Sequence, residues 1–269
     1  MRRTLIAAAL LVVSVRSAPS QALHLPLPDR VHFAMDEVLP RGDDPVDPRM
    51  VLHVESARRY PTLQYLIRAE FTRQDRVLVL KLVEVYNDSP YQQDAVGPAH
   101  HWTRLDLVAG SYDLAIQAGD STDRYRLTIT DSLITITGAP GRFSTPVPAA
   151  RWRFPRHGMH VLCERGQYPV SACLELFAAL EAAGIARLTY PPPARPPRYY
   201  AGDDTADEPD DRVRYYRYGD QQALERALAA ARDATSRFAD PMSHYGVRIR
   251  TSKDALYSCA RGRCEAEPR

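Results

Sequence analysis

The sequence predicts an all-β sandwich over residues 50–138, joined by a linker over 139–155 to an α+β domain over 156–269. Three observations predict it. Between Met50 and Thr137, apolar residues alternate with polar ones in short runs separated by turn residues, the period-two signature of half-buried strands. From Gly138 to Pro155 the chain is rich in proline and small residues, as a linker or an extended edge is. Beyond Pro155 the apolar spacing becomes helical twice, each time between short strand-like runs, and all four cysteines fall there.

In the first half, Tyr65, Ile67, Ala69 and Phe71 alternate with Leu66, Arg68, Glu70 and Thr72, and the turn Gln74-Asp75 leads into the run Arg76 to Tyr86. That run is so rich in apolar and β-branched residues that it reads as a strand buried on much of both faces. Tyr112, Leu114 and Ile116 precede the turn 118–123; Tyr125, Leu127 and Ile129 follow it, and Leu133 to Thr137 makes a last strand. Short strands at regular spacing with no helix between them imply a sandwich of antiparallel sheets. The stretch Leu107 to Leu114, with Gly110 and Tyr112, is similar to the corner of secreted immunoglobulin-like and carboxypeptidase-regulatory-like modules, where a Gly turns the chain and a Tyr opens the next strand. The resemblance covers about eight residues and implies a fold alone, because such modules carry unrelated functions.

In the second half, Met159 to Glu164 reads as a strand. Ser171 is placed to cap a helix whose Cys173, Leu176, Phe177 and Leu180 share one stripe, and Gly184 ends it. Ile185 to Tyr190 and Arg212 to Tyr218 read as strands around a long loop. Asp220 caps a second helix with Leu224, Leu228, Ala231, Thr235 and Phe238 inward, and Asp240-Pro241 stops it. Tyr245 to Thr251 is the final strand. The order βαββαβ is the ferredoxin-like plan.

Residues 1–22 read as a cleaved signal peptide: Met1-Arg2-Arg3, an apolar run from Leu5 to Val15, and small residues ending Ser20-Gln21-Ala22. The apolar run is too short for a hydrocarbon core that needs about 20 residues. Arg2-Arg3-Thr4 is similar to a twin-arginine start, although general secretion signals also begin with basic residues. The predicted location is therefore secreted or periplasmic. Residues 23–49 form an extended segment before the sandwich.

Composition is that of a globular chain: 45% hydrophobic and 25% charged residues, which excludes a disordered or multispan membrane protein. Only Lys81 and Lys253 among the 35 basic residues are lysines. Without Arg2, Arg3 and Arg16, 32 basic residues face 33 acidic ones, so bulk charge argues for no nucleic-acid partner.

Cys163, Cys173, Cys259 and Cys264 form an even set, which in an oxidising compartment reads as two disulfides. Three connectivities are open. In the expected topology Cys163 and Cys259 follow the ends of antiparallel neighbours and sit at opposite edges, so the local pairs Cys163–Cys173 and Cys259–Cys264 fit better. Their spacings of ten and five match no common zinc pair.

Several clusters invite chemistry. His157, His160 and Cys163 recur every third residue, but on a strand His160 points away from the other two, so no metal is expected. His100-His101-Trp102 reads as a loop, and a hydrolase built on His101 and Asp106 lacks a nucleophile. Asp203, Asp204, Asp207, Glu208, Asp210 and Asp211 crowd one loop without the order of a calcium loop. Arg41-Gly42-Asp43 is a tripeptide of a length that recurs by chance. No cofactor is predicted.

The most specific feature is a surface. With Val213 and Tyr215 toward the helices, Arg214, Tyr216 and Tyr218 would face the other way, and Val247 and Ile249 inward would put Arg248 and Arg250 on that same face. Such a face offers stacking platforms and charge-assisted donors. The predicted function is a noncatalytic envelope binding or scaffold protein contacting a cell-wall glycan or an acidic exported partner through Arg214, Tyr216, Tyr218, Arg248 and Arg250. Coverage of this face by the first domain is the structural alternative, and a glycan or peptide hydrolase with a site between the domains is the functional one.

Overall fold

Alternation in the first half yields eleven strands among the described residues: β1 (Leu23–Leu25), β2 (Val31–Val38), β3 (Arg49–Tyr60), β4 (Leu66–Gln74), β5 (Val77–Asn87), β6 (Gly97–Leu105), β7 (Gly110–Ala118), β8 (Ser121–Ile129), β9 (Leu133–Thr137), β10 (Ser144–Pro146) and β11 (Ala150–Trp152). The structure, a computed structural model, describes residues 23–38, 49–89, 94–163, 170–197, 211–237, 246–251 and 256–266. The signal segment 1–22, Arg41-Gly42-Asp43 and the acidic residues 203–210 lie outside the described residues.

These strands hydrogen-bond into one large curled sheet, in the order β10-β2-β3-β6-β4-β5-β7-β8-β9-β11, with β1 on β5. The sequence reading expects two antiparallel sheets. The ladder is instead continuous and mixed, because β5 pairs with β7 and β10 with β2 in parallel; alternation fixes faces but not strand direction. Curling brings the two ends of the sheet to the single stretch 144–152, the Pro-rich segment, whose β10 borders one end and β11 the other. The inner face encloses Phe33, Leu52, Leu80, Tyr112, Leu127 and Ile134, among other buried residues. The strand Val77–Asn87 is not buried on both faces: Leu78, Leu80 and Leu82 point inward, while Val77 and Val83 are 44% and 40% exposed. A bulge opposite Arg68 and Ala69 leaves Val83 unpaired there and lets both Leu82 and Val85 turn inward.

The corner before β7 is built as its residues require. Tyr112 Oη donates to the Val108 carbonyl at 2.9 Å, the bond that defines a tyrosine corner. Gly110 lies at φ +152°, and a Cβ there would stand 2.4 Å from Arg76 Nη1. That guanidinium in turn donates to the Ser111 carbonyl and lies over the Tyr112 ring.

The second sheet comprises β12 (Gly158–Cys163), β13 (Ala186–Leu188), β14 (Val213–Arg217), β15 (Val247–Thr251), β16 (Leu256–Ala260) and β17 (Arg263–Ala266), in the order β13-β14-β12-β15-β16-β17, all antiparallel. Helices α1 (Val170–Ala182) and α2 (Gln221–Arg237) pack on one of its faces. Helix α1 begins at Val170, so Ser171 sits inside its first turn rather than capping it. Its end is a Schellman motif: Ile185 N donates to Leu180 O and Gly184 N to Glu181 O, with Gly184 at φ +79°. Asp220 caps α2 through Oδ1, which accepts from Ala223 N at 2.7 Å. Phe238, expected on its stripe, lies outside the described residues.

Disulfides join Cys163 to Cys173 and Cys259 to Cys264. The first ties the end of β12 to α1, and the second bridges directly paired residues of β16 and β17. The geometry behind the expectation differs, however. Cys163 pairs with Val247, and Val247 with Cys259, so the β16 hairpin returns Cys259 to the same end of the sheet, two strands away at about 10 Å. That separation excludes a direct bond. No helix among the described residues is long and apolar enough to cross a membrane, and the two disulfides are compatible with an exported protein.

Candidate functional site

The predicted Arg/Tyr surface is divided between two faces. On β14, Val213 and Tyr215 point away from the helices and pack with Phe154. Tyr216 and Tyr218 point toward the helices, 0% and 2% exposed, beside Phe177 and Leu180. Arg214 follows them: its guanidinium lies 4.5 Å from the Phe177 ring centre and pairs with Glu181 at 3.0 Å. The expected facing of β14 is thus corrected by one residue. In Val-Arg-Tyr-Tyr-Arg-Tyr both alternate sets carry large apolar groups, so period-two logic has no contrast to use. Arg248 and Arg250 do lie on the face away from the helices, on β15 beside Leu162 and His160. Burial raises the Tyr216 hydroxyl far above the usual phenol range, against the opposing pull of Arg214.

Other candidates resolve into structure. His100-His101-Trp102 is part of β6, not a loop. His101 Nδ1 lies 3.0 Å from the Ile67 carbonyl and Nε2 lies 2.6 Å from Thr103 Oγ1. A carbonyl only accepts, so Nδ1 carries the hydrogen. Burial lowers the pKa of both His100 and His101, and both ring nitrogens of His101 are engaged away from Asp106. Trp102 stacks on His53 at 3.5 Å. Cys163 is oxidised, His160 packs against Tyr215, and the described residues contain no group of three or more metal-capable side chains.

The site that the geometry does assemble lies at the seam between the sheets. Two consecutive acids at the end of β2 hold the strand that leads out of the first sheet. Asp36 and Arg151, 0% and 3% exposed at their side chains, form a buried ion pair. Glu37 Oε1 takes Arg153 Nη2 at 2.7 Å, and Oε2 accepts the Phe154 amide at 2.9 Å. Residues 194–197 return from the second sheet to pair with β11: Trp152 N donates to Arg195 O, and Arg195 N to Ala150 O. Arg151 Nη1 adds a bond to the Pro196 carbonyl. Phe154 then covers Val213 and Tyr215, so part of the face read as open is covered by the linker.

This clasp leaves a cleft of about 1000 Å³ between the sheets. It is lined by Glu37, Asp131, Arg153, Trp152, His157, Tyr190, Arg156 and Arg217, among others. Trp152 and Tyr190 lie 6.0 Å apart at 41°, and Tyr190 meets Tyr215 edge-on at 5.0 Å. Three guanidinium groups and two carboxylates line the cleft, and one of the carboxylates, Glu37, is already bound to Arg153. Arg156 and Arg217 have no carboxylate partner among the described residues. His157 occupies the left-handed region at φ +56°, a conformation that costs a non-glycine residue about 1–2 kcal/mol. It does so in the turn where Gly158 N bonds to Pro155 O and Tyr218 N to His157 O. The signal for this cleft was Arg151-Trp-Arg-Phe154, two arginines and two aromatics in a row at the end of the Pro-rich stretch 138–155.

No family model, curated protein or solved structure matches the chain.

Proposed function

We propose that this is an exported, noncatalytic envelope protein that binds a cell-wall glycan in the cleft between its two sheets. The observation that carries the reading is that the cleft gathers the aromatic rings of Trp152 and Tyr190 with the guanidinium groups of Arg156 and Arg217, which have no carboxylate partner among the described residues. Rings and guanidinium groups together recognise sugar faces and anionic substituents. The ligand site moves from the Arg214, Tyr216 and Tyr218 set to this seam, with Arg248 and Arg250 on the same side of the second sheet. The noncatalytic reading is supported by Glu37, whose carboxylate is committed to Arg153 and the Phe154 amide.

We infer a ferredoxin-like plan for the second unit, supported by the order β12-α1-β13-β14-α2-β15 and the strand order β13-β14-β12-β15, to which the β16–β17 hairpin is added. The tyrosine corner supports an immunoglobulin-like or carboxypeptidase-regulatory-like origin for the first.

Co-sedimentation of the purified protein with purified cell wall tests the function. The parent protein should pellet with the wall, and W152A combined with R217A should reduce pelleting at least tenfold while circular dichroism is unchanged. A parent protein that stays in the supernatant, or a double variant that pellets normally, overturns the reading.

A further inference from the structure

We infer that the cleft is built for a carboxylate-bearing saccharide, a uronate-type sugar, with its ring against Trp152 and its carboxylate between Arg217 and the Tyr190 hydroxyl. The inference rests on the cleft being the ligand site and specifies what the site selects.

Trp152 is held as a platform. Its backbone is paired with β9 on one side and with Arg195 on the other, and its Nε1 donates to the Pro191 carbonyl at 3.3 Å. With the polar edge of the indole taken, the apolar ring surface is what remains for a ligand, and this suits the C–H face of a pyranose. Tyr190 is fixed by its edge-on contact with Tyr215. Its hydroxyl is buried and has no hydrogen-bond partner among the described residues, an unmet donor that a ligand acceptor would satisfy. Burial keeps this phenol protonated, with Arg217 acting against that shift, so it presents an O–H donor next to a cation. Donor and guanidinium together complement a carboxylate.

The backbone argues against an extended peptide as the occupant. An extended peptide that binds by strand addition needs a free sheet edge, but both edges of the junction strand 150–152 are already occupied. The volume, about 1000 Å³, lies at the upper end of small-molecule sites and accommodates a short oligosaccharide.

Calorimetric titration of the purified protein provides the test, with three probes: trigalacturonate, its fully methyl-esterified form, and a glutamate tripeptide. Trigalacturonate should bind, with the ester and the peptide each at least tenfold weaker. R217A should lose at least tenfold in affinity for trigalacturonate and Y190F about threefold, while R226A, at an exposed position of α2, should bind as the parent does. Emission from Trp152 in a W102F variant gives a second readout, since Trp102 and Trp152 are the only tryptophans; it should shift on adding trigalacturonate. Equal binding of the ester overturns the carboxylate assignment, and equal binding of the peptide overturns the saccharide. If none of the probes binds but W152A with R217A still abolishes wall sedimentation, this inference fails and the cleft reading stands. If that double variant also sediments normally, both fail.

Discussion

The two sheets solve the same problem by different means. The second covers one face with α1 and α2, whose apolar stripes and caps are specified within a few residues of each strand. The first has no helix among the described residues, and its apolar face is enclosed by curling the sheet and joining its ends through 144–152. The closure depends on buried carboxylates that reach far along the chain. Asp36 and Glu37 take Arg151 and Arg153. Asp123 accepts bonds from the amides of Arg142, Phe143 and Ser144 and from Ser144 Oγ. Covering a sheet with helices is thus a local matter here, reinforced by disulfides, whereas closing a sheet on itself needs long-range polar contacts in a dry setting.

The comparison predicts where each region breaks. Asp36→Ala leaves Arg151 charged and buried, and should cost about 3–5 kcal/mol, read as a lowered urea midpoint with early loss of amide protection in β2, β9 and β11. Loss confined to the second sheet would refute the closure role. Replacing Cys163 and Cys173 together by Ser should cost about 2–3 kcal/mol from the short loop released, with exchange rising in β12 and α1 while the first sheet keeps its protection.

Asp123→Asn should cost about 1–3 kcal/mol and should also change the acid response. Burial alone would raise this carboxyl, but the hydrogen bonds from Ser144 and the three amides outweigh it and hold the pKa below its ordinary value. A depressed folded pKa means the stabilisation is complete above the unfolded value, about pH 4, and is lost as pH falls through the lower folded one. Urea midpoints should therefore fall less steeply between about pH 5 and pH 2 in the variant than in the parent; identical slopes would remove Asp123 from the account. The smallest effect expected is Gly184→Ala, about 1 kcal/mol for a side chain at positive φ, measured as a modest shift in melting temperature.

Much of the second unit was legible because its determinants are local. The stripe Cys173, Leu176, Phe177 and Leu180, the Gly184 stop and the Asp220 cap are all within one or two helical turns of what they act on. The cleft was not legible. Its walls draw on residues 37, 131, 152–157, 188–190 and 217, and only chain closure brings those together. The surface read from β14 also failed for a definable reason, since Tyr215 and Tyr216 suit either face and the choice fell to Phe154 and Phe177 from other elements.

By itself, then, the sequence determined the β-rich first half and the helices of the second with the Gly184 stop and the Asp220 cap, because alternation, helical spacing and capping act over a few residues. Tertiary structure alone decided that the first half curls into one sheet, which face each tyrosine of β14 takes, and that Trp152, Tyr190 and Arg217 share a cleft. Those outcomes depend on contacts between residues up to about 180 positions apart, where burial of one group is settled by what another segment brings to cover it.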